Sequence, residues 1–578
     1  MRRCLFLLPL LLAALSPFPL PAAETKPPAT RLAVLVCFDQ LRGDYLTRWD
    51  DLFGEGGFHR LEKDGAWFQD CHCPYAGTET GPGHASVATG CSPCKHGIII
   101  NDWYDRTAGH KVYCAATDRY RRVPPPPADG KASAEKLLND SRGQGAPDRL
   151  LAPTLGDALK AATAGKGKVV ALSLKDRSSV LPGGKKPDAC YWFDTADGQF
   201  VTSTYYRGRP HPWVEQFNKD RIADRWFGKQ WDRLRSDLEY ERRSGPDDVT
   251  GEGRGVSFGP KDNPVYQGRT FPHPLSAGLK EPGKPYYDAL YNSPFGNELL
   301  LALVKRAIDA EELGRHDTPD FLSVSFSSND PVGHCWGPDS QEVLDTTLRT
   351  DRVVKELCDT LDAKVGKGRW TLVLTADHGV CPVPEVGKAQ GKEAGRVIPS
   401  LLGAKANAFL QEKFGGDAEA TWVEATATPW VYLNRRLIRQ RFLNQSDVEN
   451  ALAGWLRKQP AVQAVYTRTQ LLKGVDRDDP LGRQVRLSFH PDRSGDVMVV
   501  LKPYHQFTIY LTGTGHGTPH PYDTHVPLLV HGPEVRGGVR KDRVTPQAAA
   551  VILARALGIK PPAAAEAPLP KDLFRPAE

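Results

Sequence analysis

Leu32-Ala-Val-Leu-Val-Cys-Phe-Asp39 is an unbroken apolar run that stops at a carboxylate. It is too short for a buried helix and does not alternate, which is the pattern of a strand covered on both faces. Comparable runs recur at Lys168–Leu174, Phe321–Phe326, Trp370–Thr375 and Val526–His531, each followed by loop and helix signals. This alternation predicts an α/β fold with a central, mostly parallel sheet flanked by helices. One helix is strongly marked. Asp339 and Glu342 form a capping-box pattern, and Val343, Leu344, Leu348, Val354, Leu357 and Leu361 then recur at helical spacing.

Two stretches interrupt the rhythm. Residues of about 195–290 are rich in Arg, Gly, Pro and aromatics, and those of about 385–500 are polar with mixed patterns. Both are read as insertions that cap the C-terminal edge of the sheet within one domain. Val123–Pro127 reads as a loop and 561–578 as a Pro-rich tail. At the start, Arg2 and Arg3 precede the apolar stretch Leu5–Leu15, and the small residues Ala22 and Ala23 follow. That order predicts a secretory signal peptide over 1–23 and a periplasmic or extracellular mature protein. The stretch is too short and too interrupted by proline for stable membrane insertion.

Bulk composition excludes several classes. The chain has 578 residues, 40% hydrophobic and 25% charged, with 75 Lys and Arg against 69 Asp and Glu for a net charge of +6. The basic excess is diffuse, with no basic stripe interleaved with aromatics, so no nucleic-acid partner is expected. There is no GxxxxGK[ST] motif for nucleotide-driven work. Cys4 falls in the leader, while Cys71, Cys73, Cys91, Cys94 and Cys114 crowd one segment. Cys91-Ser-Pro-Cys94 lacks the second CxxC of a zinc ribbon, which leaves a disulfide or free thiols.

Ligands of α/β proteins sit where strands end. Asp39 follows the first strand, Asp330-Pro-Val-Gly-His334 follows Phe321–Phe326, and Asp377-His378-Gly379 follows Trp370–Thr375. Gly515-His516-Gly517 precedes the last strand. Singly, each is an ordinary cap or turn residue. Together, carboxylates and imidazoles at strand ends are a natural donor supply for two zinc ions. In Thr78-Glu-Thr-Gly-Pro-Gly-His-Ala-Ser-Val-Ala-Thr-Gly90, Thr80 falls at the N-terminus of a helix-compatible run. Backbone N–H groups there favour an anion, and a metal could activate the hydroxyl. Lys175 and Arg177 follow Lys168–Leu174 at a spacing of two, so a β-like backbone would point them the same way.

In this order, Asp39, the Thr80–Gly90 motif, His96-Gly-Ile, Asp330…His334, Asp377-His378-Gly and His516-Gly resemble the alkaline phosphatase superfamily. The chain looks most similar to the bacterial phosphate-irrepressible, threonine-nucleophile members. The resemblance covers about residues 31–560. It implies that Asp330, His334 and His516 hold one zinc, and that Asp39, Asp377 and His378 hold the other, with Thr80 as nucleophile reaching toward the second. It selects His516 over His520 and His525. It gives Asn101 a phosphoryl oxygen to bind, and it assigns Lys175 and Arg177 to the extra charge of a phosphomonoester dianion, Arg by a fork and Lys as a point charge. The expectation is a phosphomonoesterase acting through a phosphothreonine on small-molecule monoesters, as a monomer. The rival within the superfamily is a phosphodiesterase or nucleotide pyrophosphatase. A sulfatase is disfavoured because no C-x-P-x-R motif is present, and an inactive phosphate- or metal-binding protein because no ligand is missing.

Overall fold

The computed structural model describes residues 29–126, 144–416 and 421–576; the predicted signal peptide lies outside them. The central sheet contains β1 (Leu32–Phe38), β2 (Ala66–Phe68), β3 (Arg122–Val123), β4 (Val169–Ser173), β5 (Ala189–Asp194), β6 (Gln199–Ser203), β7 (Asp320–Phe326) and β8 (Trp370–Thr375). A separate sheet follows, made of β9 (Val423–Ala427), β10 (Trp430–Leu433), β11 (Val462–Thr467) and β12 (Val497–Leu501). The chain then returns to the central sheet with β13 (Leu528–His531) and β14 (Gly538–Arg540).

The 10-stranded order is β14-β2-β13-β8-β1-β7-β4-β5-β6-β3. Its middle, β8-β1-β7-β4-β5, is parallel throughout, and every residue of β1, β4, β7 and β8 is buried. Antiparallel pairs flank this middle on both sides, although the edge pair β2-β14 is parallel. β13 runs against β8, and β6 against β5. The Val526–His531 run is therefore a strand, but an antiparallel one. The segment before it carries His516 at the C-terminal edge, so the chain enters the sheet from that end and must run the opposite way. β5, which begins Ala189-Cys-Tyr-Trp, is a core strand that the sequence reading passed over.

The main helices are α1 (Thr80–Thr89), α2 (Asp176–Gly183), α3 (Phe295–Ala310), α4 (Asn329–Trp336) and α5 (Gln341–Leu361), then α6 (Pro399–Phe414), α7 (Gln445–Leu456) and α8 (Ala548–Ala556). The strongly periodic helix forms as α5, but its cap is Ser340, whose Oγ accepts the Val343 N–H at 3.1 Å. Asp339 turns outward to Arg48, and Glu342 is fully buried against His273.

The stretch between β8 and β13 contains the second sheet, in the order β9-β10-β12-β11, with its own apolar core shared with α6 and α7. Ser488 of this region accepts the N–H groups of Ala76 and Gly77, just ahead of Thr80. Residues 561–576 pack back onto the molecule: Leu573 is 1% exposed, and the Gly90 carbonyl accepts the Glu566 N–H. Among the described residues all ten cysteines are free thiols, Cys91 and Cys94 included.

Candidate active site

Parallel register brings the strand ends level. Phe38 lies beside Phe326, Cys37 beside Thr375, and Ser325 beside Ser173. The residues that follow these strands therefore gather at one edge, as the sequence predicts for a switch point in a parallel sheet.

Two donor sets form there. Asp330, His334 and His516 have one donor atom each within 4.8 Å of the others, and so do Asp39, Asp377 and His378. In the first set His334 Nε2 is 3.2 Å and His516 Nε2 is 3.6 Å from Asp330 Oδ1. In the second set His378 Nε2 is 3.5 Å from both Asp39 Oδ1 and Asp377 Oδ2. The rings of His378 and His516 stack with centroids 3.6 Å apart, joining the sets. His520 and His525 are elsewhere, bonded to the carbonyls of Leu501 and Gln69.

The donor chemistry fits metal ions. Each of the three imidazoles places Nδ1 on a backbone carbonyl: His334 on Thr514 at 2.7 Å, His516 on Thr78 at 2.8 Å, and His378 on Gly379 at 2.9 Å. That partner orients each ring and turns Nε2 toward the carboxylates, which is how ligating histidines are held. Asp39 Oδ1 is buried without a hydrogen bond, an arrangement that is expensive unless a cation answers it. Burial pushes His378 down to about 3, so its ring is neutral. The two sets differ in access. Asp39, Asp377 and His378 are fully buried, whereas the His334 side chain is 38% exposed.

Thr80 stands between the sets and the cationic side chains. It is the first residue of α1, with Oγ1 3.4 Å from His378 Nε2 and 3.3 Å from Arg177 Nη2. α1 can approach this closely because Gly83 packs on Asp377, where an added Cβ would lie 2.5 Å from that residue's Cβ and carbonyl oxygen. Asn101 accepts the Gly81 N–H on Oδ1 at 2.7 Å, which leaves its amide nitrogen as the donor end.

Lys175 and Arg177 converge on the site, although not as neighbours on one strand. β4 stops at Ser173, Lys175 is the extended N-cap of α2, and Arg177 lies in its first turn. Lys175 Nζ donates to Asp39 Oδ2 at 2.5 Å and to Asp330 Oδ2 at 2.6 Å, one carboxylate from each set. Burial works against ionisation of Asp330, but Lys175 and then His334 hold its carboxyl well below the usual range. Arg177 also donates to the Tyr113 hydroxyl at 3.1 Å, which in turn donates to Asp176 at 2.5 Å.

Three supporting residues escaped the sequence reading. His84 lies one turn after Thr80, with Nδ1 3.0 Å from the Thr80 carbonyl and 3.1 Å from Asp377 Oδ2, and Nε2 2.7 Å from Ser325 Oγ. It ties the Thr80 backbone to the donor set and to β7. Gln40 donates from Nε2 to Asp330 Oδ1 at 2.7 Å and from its backbone to Asp377 Oδ1 at 3.1 Å. It fits only because Gly333 has no Cβ, which would meet Gln40 Oε1 at 1.9 Å. Glu79 accepts the Asn101 N–H at 2.7 Å and so fixes that side chain's base. Ser325, Asp377 and Asp330 are distant in sequence from His84 and Gln40, and the motif that contains His84 does not show what its ring touches.

Comparison with known proteins bears on the family and the fold. The family model for type I phosphodiesterase / nucleotide pyrophosphatase matches residues 33–533. The chain is 34% identical over 511 residues to alkaline phosphatase PafA of Elizabethkingia meningoseptica, covering 88% of each chain. It is 32% identical over 530 residues to alkaline phosphatase PhoV of Synechococcus elongatus, covering 91% of this chain and 89% of that one. The crystal structure of wild-type PafA superposes with a TM-score of 0.86 at 32% identity, over 96% of this chain and 100% of that chain.

Proposed function

The chain belongs to the type I phosphodiesterase / nucleotide pyrophosphatase family, and we propose that within it the protein is an exported, zinc-dependent alkaline phosphatase that hydrolyses phosphate monoesters through Thr80. The observation that carries this reading is the Thr80 hydroxyl at a helix N-terminus, with His378 on one side and Arg177 on the other.

Asp330, His334 and His516 would hold one zinc ion, and Asp39, Asp377 and His378 the other. Bound there, the ions would supply Lewis acidity to the nucleophile, the phosphoryl oxygens and the departing alcohol. The chain's own groups do the rest. The α1 N-terminus and its dipole favour the phosphoryl anion. Asn101 Nδ2 donates to a phosphoryl oxygen. Arg177, locked by Tyr113 and Asp176, donates from its guanidinium, and Lys175 adds positive charge where the monoester dianion exceeds a diester. Thr80 Oγ1 attacks phosphorus in line as the alcohol leaves, giving a phosphothreonine that water then hydrolyses. The predicted leader over 1–23 supports export; among the described residues no helix is long and apolar enough to cross a membrane.

The test compares p-nitrophenyl phosphate with bis-p-nitrophenyl phosphate for the wild type, Thr80→Ala and Lys175→Ala/Arg177→Ala. Monoester preference should collapse in the double variant, since each charge-assisted contact is worth about 1.5–3 kcal/mol. Thr80→Ala should lose about 10³-fold or more in kcat. A diester preference untouched by the double variant would move the protein to the phosphodiesterase branch. Near-wild-type turnover by Thr80→Ala would remove the covalent route.

A further inference from the structure

A second kind of donor cluster lies on the flank of the sheet, away from the site just described. Asp50, His59 and Glu62 each offer a donor atom, and these atoms lie within 4.8 Å of one another. His59 and Glu62 are one turn apart on a short helix, Phe58–Lys63, so they share a face. Asp50 belongs to the preceding turn, its Oδ1 3.0 Å from His59 Nε2. The turn is closed from outside: Asp351 of α5 accepts the Gly54 N–H at 2.8 Å and the Phe58 N–H at 2.7 Å. In the same helix Arg60 stacks over Trp370, the first residue of β8, toward the end of the sheet opposite Asp377.

Charge bookkeeping singles out this trio. Nearby Asp51 pairs with Arg243, Glu55 with Lys63, and Arg60 with Asp362. Among the described residues no Lys or Arg pairs with Asp50 or Glu62. Glu62 Oε1 and His59 Nδ1 are both buried without a hydrogen-bond partner, a costly pair of orphans on adjacent side chains. Burial, then Asp50 and Asp351, raise the Glu62 carboxyl to about 7, against the opposing effect of His59. Asp50 is 58% exposed, so an ion has a path from solvent and room to keep water.

We propose that Asp50, His59 and Glu62 form a binding site for one further divalent cation of the zinc type, separate from the catalytic edge. One imidazole and two carboxylates plus water is a borderline-metal donor set, whereas calcium and magnesium take all-oxygen shells. The ion satisfies the buried Glu62 oxygen, neutralises the facing carboxylates and clamps the 50–63 segment that α5 already holds at Asp351. The inference does not depend on the phosphatase reading.

The full chain is stripped with chelator, reloaded at micromolar free zinc, gel-filtered, and its zinc counted by mass spectrometry. The wild type should carry one more ion per chain than Asp50→Asn/His59→Gln or Glu62→Gln. Hydrolytic activity should be the same in all three, and zinc-induced thermal stabilisation should be smaller in both variants. If Glu62→Gln does not fold, the double variant decides alone, because Asp50 is mostly in solvent and His59 lies on the surface helix. Equal zinc counts in the wild type and the double variant overturn the proposal.

Discussion

His84 illustrates how much of the site rests on residues that never touch substrate. Its Nδ1 faces two acceptors, the Thr80 carbonyl and Asp377 Oδ2, so this nitrogen carries the proton and Ser325 serves Nε2. It therefore acts as a positioning residue, between the backbone of Thr80, the proposed nucleophile, and a proposed ligand. His84→Ala should lower kcat/KM by about 10–100-fold, the usual cost of losing such support, and should weaken zinc retention at the Asp39/Asp377/His378 set in parallel. Unchanged zinc affinity and unchanged kcat/KM would assign His84 to packing alone. The site was legible to different depths at this scale. Asp39 stands directly after an apolar strand, Asp377 and His378 within three residues of one, and Asp330 four residues after one, so all could be read by position. His84, Gln40 and Glu79 could not, because each is defined by a partner at a distance, such as Ser325 at a separation of 241 residues from His84.

At the scale of elements, caps and contacts between helices decide local stability. Apolar periodicity located α5, but not its first residue, because Asp339 and Ser340 are both good caps. The Ser340 Oγ bond to the Val343 N–H settles the choice. Ser340→Ala should cost about 1 kcal/mol in denaturant melts, while Asp339→Ala removes only a partly exposed pair with Arg48 and should cost little. α1 is braced by His96, whose Nε2 lies 2.9 Å from Ser86 Oγ and whose Nδ1 accepts the Ile98 N–H at 3.1 Å. Burial pushes His96 down to about 3, so the folded state holds it neutral. Between that value and about 6.5 the unfolded chain binds the extra proton. His96's contribution is thus full above about 6.5 and is lost as the pH falls toward 3. The stability gap between wild type and His96→Asn should narrow from pH 7 to pH 5. A gap independent of pH would mean that His96 is not buried neutral.

For the whole molecule, the two donor sets join parts that are distant in the chain. They tie the end of β1, α4, the end of β8 and the loop carrying His516. Ions bound only by the folded state stabilise it by about 2.7 kcal/mol at a hundred times Kd. Chelator should therefore abolish phosphatase activity and lower Tm, and zinc should restore both. Loss of activity with no change in Tm would show that the edge is held together without the ions.

The sequence by itself determined the α/β class, the strands that carry the donors, and the chemical nature of the edge, because burial on both faces writes continuous apolar runs and a strand's end is fixed by the first polar residue after it. Tertiary structure alone decided the rest. It brought the already selected His516 beside Asp330 and left His520 and His525 elsewhere, turned β13 antiparallel, moved Lys175 onto Asp39 and Asp330, and enlisted His84, Gln40 and Glu79. It also folded Asp50 back over His59 and Glu62. These outcomes depend on which distant atoms come within about 3 Å of one another, the range of a hydrogen bond. That distance is set by register and close packing between elements, which a linear pattern of residue types does not encode.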